Sequence, residues 1–117
     1  MKKMSRRSLK VADLLLREIS FILQRDLKDP RVGFITLTRV KMTEDLKQAK
    51  VYFSMLPNAG DPALVLQGLN HAKSFIRAEL KSRLHLKYIP YLSFYFDDTL
   101  DYVAKIEGLI RKTKEEK

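Results

Sequence analysis

The sequence predicts an α+β fold in which a three-stranded sheet carries its helices on one face, in the order α-β-β-α-kink-α-β-α. Apolar residues recur at helical spacing in three runs: ahead of Pro30, between Pro62 and Leu84, and after Thr99. Two strand-like runs, Ile35 to Met42 and Gln48 to Leu56, are joined by Thr43-Glu44-Asp45, too short for a crossover helix, so they are expected to form an antiparallel hairpin. Phe75 lies about 120° off the apolar stripe of its helix by the 3.6-residue repeat. Either it is exposed or the helix bends near Ala72–Ser74, and a bend is the preferred reading.

The first helix is expected from Ser5 or Ser8 to Lys28. Leu9, Ala12, Leu15, Leu16, Ile19, Ile22, Leu23 and Leu27 form its buried stripe. Arg6, Lys10, Arg17 and Lys28 lie opposite, diluted by Asp13 and Gln24. Asp29-Pro30 is expected to stop it, because the residue before proline is pushed out of the α region. In the first strand the alternation is imperfect: Phe34, Thr36, Thr38 and Val40 fall on one side, Ile35, Leu37, Arg39 and Lys41 on the other. The second alternates cleanly, with Ala49, Val51, Phe53 and Met55 facing one way and Lys50, Tyr52 and Ser54 the other.

Pro57-Asn58-Ala59-Gly60 ends the hairpin, and Asp61-Pro62 is a helix start, a capping acceptor followed by proline in the first turn. The stripe Leu66, Leu69, Ala72, Ile76, Leu80 and Leu84 follows, and Gly68 weakens this helix by about 1 kcal/mol relative to alanine. After Pro90, Leu92 to Phe96 alternates as a third strand. Asp98-Thr99 is expected to cap a last helix burying Leu100, Val103, Ile106 and Ile110.

The 117 residues are read as one domain, with 1–4 and 112–117 as flexible ends. Hydrophobic residues at 45% and charged residues at 32% argue against disorder. The chain has no cysteine, which excludes disulfides, thiolate nucleophiles and thiolate metal sites. The opening Met-Lys-Lys has the charge of a secretory signal, but Asp13, Arg17 and Glu18 occupy the place of its apolar run. No uncharged stretch is long enough for a membrane span. A cytoplasmic protein is the expectation.

The net charge of +9 is confined to two stretches. Residues 1–10 carry +5 from Lys2, Lys3, Arg6, Arg7 and Lys10; residues 69–88 carry +4 from Lys73, Arg77, Lys81, Arg83 and Lys87 against Glu79. The other 87 residues cancel, so the imbalance reads as a footprint for a polyanion. Lys73, Arg77 and Lys81 fall at i, i+4 and i+8 and form a ridge beside the buried stripe. Three such residues alone are as well explained by a solvated face; Asn70, Ser74, the suspected bend and the following Arg83 and Lys87 favour phosphate contact. The N-terminal cluster is either a second backbone contact or a plain basic tail. Tyr52, Tyr91 and Tyr95 are candidates for stacking on bases, though Tyr95 also fits a role in covering the sheet.

Nothing in the sequence assembles a catalytic site. His71 and His85 have no metal-ligand spacing and no triad partner, and read as surface histidines. Asp97 and Asp98 are adjacent and point to opposite faces of an extended chain. The four glycines fit neither a phosphate loop nor a dinucleotide fingerprint. No metal or cofactor is expected.

The helix and strand order is that of the type II KH fold, which grips four nucleotides with a Gly-x-x-Gly loop between its central helices. No two glycines here are three apart, so that loop is absent. Further words follow one another along the chain: Asp29-Pro30-Arg31-Val32-Gly33-Phe34, Ile35-Thr36-Leu37-Thr38 with Val40, Asp45-Leu46, and Ala49-Lys50-Val51-Tyr52. Then come Leu69-Asn70, Ala72, Phe75-Ile76-Arg77, Glu79-Leu80, and Pro90-x-Leu92-x-Phe94 leading to Asp97-Asp98-Thr99-Leu100. In this order and spacing they resemble the bacterial ribosome-binding factor A family over nearly the whole chain.

The resemblance implies a KH-like domain in which an Ala-x-Gly kink replaces the glycine loop. Here that position reads Ala72-Lys73-Ser74, with serine in place of the usual glycine; a serine hydroxyl can bond back to a helix carbonyl and assist a bend. It further implies a non-catalytic, monomeric assembly factor that binds free small (30S) ribosomal subunits near the 5′ end of 16S rRNA or its precursor. Maturation of that end and adaptation to cold belong to the same implication. The RNA-binding residues would be Lys73, Ser74, Arg77 and Lys81, with Arg83 and Lys87 after them; Arg6, Arg7 and Lys10 come second and Arg31 third. A general KH-like binder of free single strands is the alternative, against which the missing loop argues. A face of the first helix bordered by Leu14 and Phe21 is expected to suit a ribosomal protein or another assembly factor.

Overall fold

The computed structural model describes residues 4–33, 35–99 and 105–111. Its elements are α1 (Arg6–Arg25), β1 (Thr36–Met42), β2 (Gln48–Ser54), α2 (Pro62–His71), α3 (Lys73–Arg83) and β3 (Tyr91–Phe96), and residues 105–111 are helical. In the sheet, of order β1-β2-β3, β1 and β2 pair antiparallel as the short connection requires. β3 lies parallel to β2 after the crossover through α2 and α3. Helix α1 packs on β1 and on α3, while α2 and α3 pack on β3.

Ser5 caps α1: its hydroxyl accepts from the Ser8 amide, and the buried Ser8 hydroxyl donates back to the Ser5 carbonyl at 2.9 Å. Ala12, Leu15, Ile19 and Ile22 are buried as expected, but Leu9 is 50% exposed, one turn short of the core. The helix also ends three residues before the expected Lys28. The Ile22 carbonyl accepts both the Asp26 and the Leu27 amides, which closes the last turn before Asp29-Pro30 is reached.

The imperfect alternation of β1 has a structural cause. Leu37 pairs with Phe53 and Arg39 with Tyr52, so Thr38 is an extra residue, a β-bulge. Val40 and Met42 are consequently buried, and Arg39 and Lys41 point to the other face. The two sides read from strict alternation are therefore each split at Thr38; Phe34 lies outside the described residues. The inward residues of the sheet meet Leu15, Ile19, Leu69, Ile76 and Leu80 in one core. Each fully buried Leu or Ile side chain stabilises the fold by about 1.5–3 kcal/mol.

Asp61 caps α2, its carboxylate accepting the Ala63 amide at 2.9 Å. Gly68 is buried against the Arg31–Val32 segment, where a Cβ would stand 2.7 Å from Val32 Cγ2. Close approach, beyond helix propensity, therefore accounts for this glycine. At the other end of the chain, Asp97 rather than Asp98 accepts the Thr99 amide and hydroxyl. Ile106 and Ile110 are exposed where a buried face was expected: their helix, residues 105–111, adds no side chain to the core. Leu100 and Val103 lie outside the described residues.

Candidate nucleic-acid interface

The helical run after Pro62 is interrupted at Ala72, with φ −87° and ψ −1°. The Ala72 amide is shared between the Gly68 carbonyl at 3.0 Å and the Leu69 carbonyl at 3.1 Å, a tight last turn, and the Ala72 carbonyl opens α3 by accepting from Ile76. The bend expected near Ala72–Ser74 is thus at Ala72. Ser74 belongs to α3 and its hydroxyl makes no hydrogen bond among the described residues, so it does not assist the bend through a carbonyl. Phe75 is nevertheless 40% exposed: the bend and the exposure, read as alternatives, occur together.

The predicted basic residues divide by their partners. Arg77 reaches from α3 to the turn before β3, donating to the Ile89 carbonyl at 3.0 Å and the Pro90 carbonyl at 3.2 Å. Arg83 turns toward α1, where it meets Asp26 at 2.8 Å and Glu18 at 3.9 Å, and it also pairs with Glu79 one turn back on α3 at 3.6 Å. Its guanidinium also covers one side of Phe21, and Arg25 covers the ring as well, so the α1 face considered for a protein partner carries its own cationic cover. Arg31 grips Asp29 through Nε and Nη2, and its amide donates to the same carboxylate. These bonds hold the Asp29 carboxyl down at about 2, the Arg31 side chain contributing most.

Lys73, Lys81 and Lys87 have no such carboxylate partner among the described residues. Arg77, Lys81 and Lys87 line one cleft of about 520 Å³ together with Lys47, Tyr88 and Tyr91. Among the described residues no acidic side chain lines it. A smaller hollow lined by Ser74, Arg77 and Lys81 adjoins these residues on α3. Sequence reasoning missed Lys47 and Tyr88: Lys47 comes from the β1–β2 turn, and no local signal places it opposite α3. Across the helix interruption, a second cleft of about 720 Å³ is lined by Lys28, Arg31, His71, Ala72 and Phe75 among others. Lys73, on the first turn of α3, lines neither.

The N-terminal cluster joins the first cleft only in part. Arg7 lines a hollow with Lys87 and Tyr88, but Glu44 and Asp45 line it too. Arg6 and Arg7 occupy the first turn of α1 with no acid there, where a cation opposes the helix dipole. Lys10 is exposed on the next turn, and Lys2 and Lys3 lie outside the described residues. Among the described residues no group of three or more His, Asp or Glu side chains gathers as metal ligands. No described helix is long and apolar enough to cross a membrane.

Comparison with known proteins supplies the relationship. The family model for ribosome-binding factor A matches residues 7–110. The chain belongs to the ribosome-binding factor A family. A family member from Albidiferax ferrireducens is 46% identical over 110 residues, covering 94% of this chain and 88% of the relative. The crystal structure of ribosome-binding factor A from Thermus thermophilus superposes with a TM-score of 0.68 at 24% identity, over 75% of this chain and 93% of that one. A Thermus thermophilus ribosome-binding factor A model fitted into the cryo-EM map of its complex with the 30S subunit gives a TM-score of 0.63 at 24% identity, over 77% and 94% of the two chains. The ribosome-binding factor A fold is KH-like, and this member has the family's order of helices and strands. The helix is interrupted with no positive φ, so serine at 74 is compatible with the break.

Proposed function

We propose that this ribosome-binding factor A is a non-catalytic assembly factor that binds the free small ribosomal subunit through 16S rRNA or its precursor. The cleft between α3, the turn before β3 and Lys47 carries the reading. Lysines from separate segments converge there without an acid, beside two exposed tyrosines. Phosphates need cations held at intervals on rigid elements, and Lys81 on α3 with Lys87 and Lys47 on braced turns supply that spacing. Lys73 and Ser74 extend the contact along α3, and Arg6, Arg7 and Lys10 reach a further stretch of backbone from α1. Arg77, Arg83 and Arg31 shape this surface from their internal partners as well as adding charge to it.

The proposed role extends to support of 5′-end maturation of 16S rRNA, adaptation to cold, and action as a cytoplasmic monomer alongside ribosomal proteins and other assembly factors. Co-sedimentation with purified 30S subunits across a salt series tests the binding. With about four phosphates contacted, log affinity should fall with log salt at a slope of roughly −3 to −4. Lys81→Glu with Lys87→Glu should abolish most of the binding; a flat salt response, or unchanged binding by that folded variant, would place the contact elsewhere. Primer extension on 16S rRNA from cold-grown cells carrying only the variant should show accumulated unprocessed 5′ ends.

A further inference from the structure

Helices α1, α2 and α3 cover one face of the sheet, and on the other face Arg39, Lys50 and Tyr95 are exposed among the described residues. Past the Thr38 bulge, Arg39 and Lys41 of β1, Lys50 and Tyr52 of β2, and Ser93 and Tyr95 of β3 all point to that other face. They form two rows across the strands. In the first, Arg39 is opposite Tyr52 and Tyr52 is opposite Tyr95. The guanidinium lies 4.3 Å from the Tyr52 ring centre, and the two rings stack at 5.4 Å with planes 28° apart. In the second row Lys41 is directly opposite Lys50, and Lys50 is opposite Ser93. Like charges placed opposite each other weaken a sheet, and neither lysine has an ion-pair partner among the described residues.

We propose that this face is a second RNA-binding surface, which takes a single-stranded segment through the Arg39–Tyr52–Tyr95 column and the Lys41–Lys50 pair. Charge complementarity selects the occupant. An apolar protein surface would have to bury three cations that have no carboxylate ion pair among the described residues, Arg39 and Lys41 having the Tyr52 ring beside them, whereas a phosphate placed over Lys41 and Lys50 relieves their mutual repulsion. The stacked column selects a single strand over a duplex. Among the described residues β3 has no strand beyond it, and Tyr95 is 43% exposed, so a base can continue the column on the outer side of that ring. Bases inside a duplex cannot reach it. Asp97, the carboxylate that feels the Arg39 charge, is occupied: it accepts from Thr38 and from Thr99. None of the six residues lines the α3 cleft, so the inference stands on separate side chains from the proposed subunit contact.

The test is fluorescence anisotropy of a labelled ten-nucleotide uridine oligomer, and of a ten-base-pair RNA duplex, with the full chain. The single strand should bind more tightly than the duplex. Tyr95→Ala should weaken it about tenfold and Tyr95→Phe should leave it unchanged. Lys41→Gln with Lys50→Gln should make the log–log salt slope shallower by roughly 1.4, as expected for two phosphates on a single strand. Lys81→Glu with Lys87→Glu should leave oligomer binding within about twofold while weakening subunit binding. The proposal is overturned by absent oligomer binding, by equal binding of duplex and strand, or by a Tyr95→Ala variant of native circular dichroism that binds like wild type. Loss of oligomer binding in the cleft variant alone would overturn it too and leave the subunit contact standing.

Discussion

The Arg77 guanidinium carbon stands 4.5 Å from the centre of the Tyr91 ring while its nitrogens hold the two carbonyls that precede that residue. A side chain on α3 thereby fixes where β3 begins. Arg77→Ala is expected to destabilise the protein by about 1–3 kcal/mol, from hydrogen bonds to a charged donor and a cation–π contact. Arg77→Lys should recover only part of it, because an ammonium cannot stack flat and serve both carbonyls. Urea unfolding of the three proteins checks this. Charge reversal at Arg77 would thus mix lost fold with lost binding, which is why Lys81 and Lys87 are the better probes of the cleft.

Gly68→Ala should destabilise the chain even though alanine is the better helix former. The gain of about 1 kcal/mol in propensity is opposed by contacts at 2.7 Å to Val32 Cγ2 and 3.1 Å to Arg31 Cβ. Val32 is branched and stiff at χ1, so it cannot turn away cheaply. A net loss of about 1–2 kcal/mol in urea unfolding is the expected outcome. Gly68→Ala combined with Val32→Ala should lose the clash term, and a non-additive double-mutant cycle would register it.

Arg83→Gln should cost about 1–2 kcal/mol, read as a lower denaturation midpoint. Each of its ion pairs is about one-third exposed or less, which limits any one of them to about 0.2–1 kcal/mol, but they act on one guanidinium, and those to Asp26 and Glu18 tie α3 to α1. The difference from wild type should shrink in 1 M salt.

Acid stability should depend on Asp29. Its carboxyl titrates ordinarily at 3.8 and is held at about 2 in the fold. A depressed carboxyl contributes stability that is fully present above 3.8 and is lost as pH falls toward about 2. Asp45 and Asp97 are shifted in the same direction by their hydrogen bonds to Thr43 and Thr99. Asp29→Asn should therefore show a smaller drop in urea midpoint than wild type across that window, while the part due to Asp45 and Asp97 persists.

Local signals carried most of the architecture. The Asp61-Pro62 start, the alternation of β2 and the misplaced Phe75 each reflect forces within a few residues of themselves, and the elements begin where they put them. β2 nonetheless ends at Ser54 rather than Leu56, and Ser54, read on the side away from the core residues, is buried. What escaped depended on tertiary partners. The end of α1 is set by the Ile22 carbonyl taking two amides, and the faces of β1 by an extra residue at Thr38 that alternation alone cannot locate. The basic ridge was legible as charge at helical spacing. The commitments of Arg77 to two carbonyls and of Arg83 to three carboxylates were not, because Ile89, Pro90, Asp26 and Glu18 are distant in sequence or carry no charge.

The interruption between α2 and α3 is buried: Ala72 belongs to the core, and its backbone adopts angles open to any residue. A joint of this kind has no swivel. Its setting is decided by packed side chains around it rather than by a glycine free to turn, so the two helices enter any complex already in their final relation. Their ordering entropy is spent in folding, not at the moment of association. Binding through this surface should therefore show a small heat-capacity change beyond that of the contact itself, and the relation of α2 to α3 should be the same before and after the partner arrives.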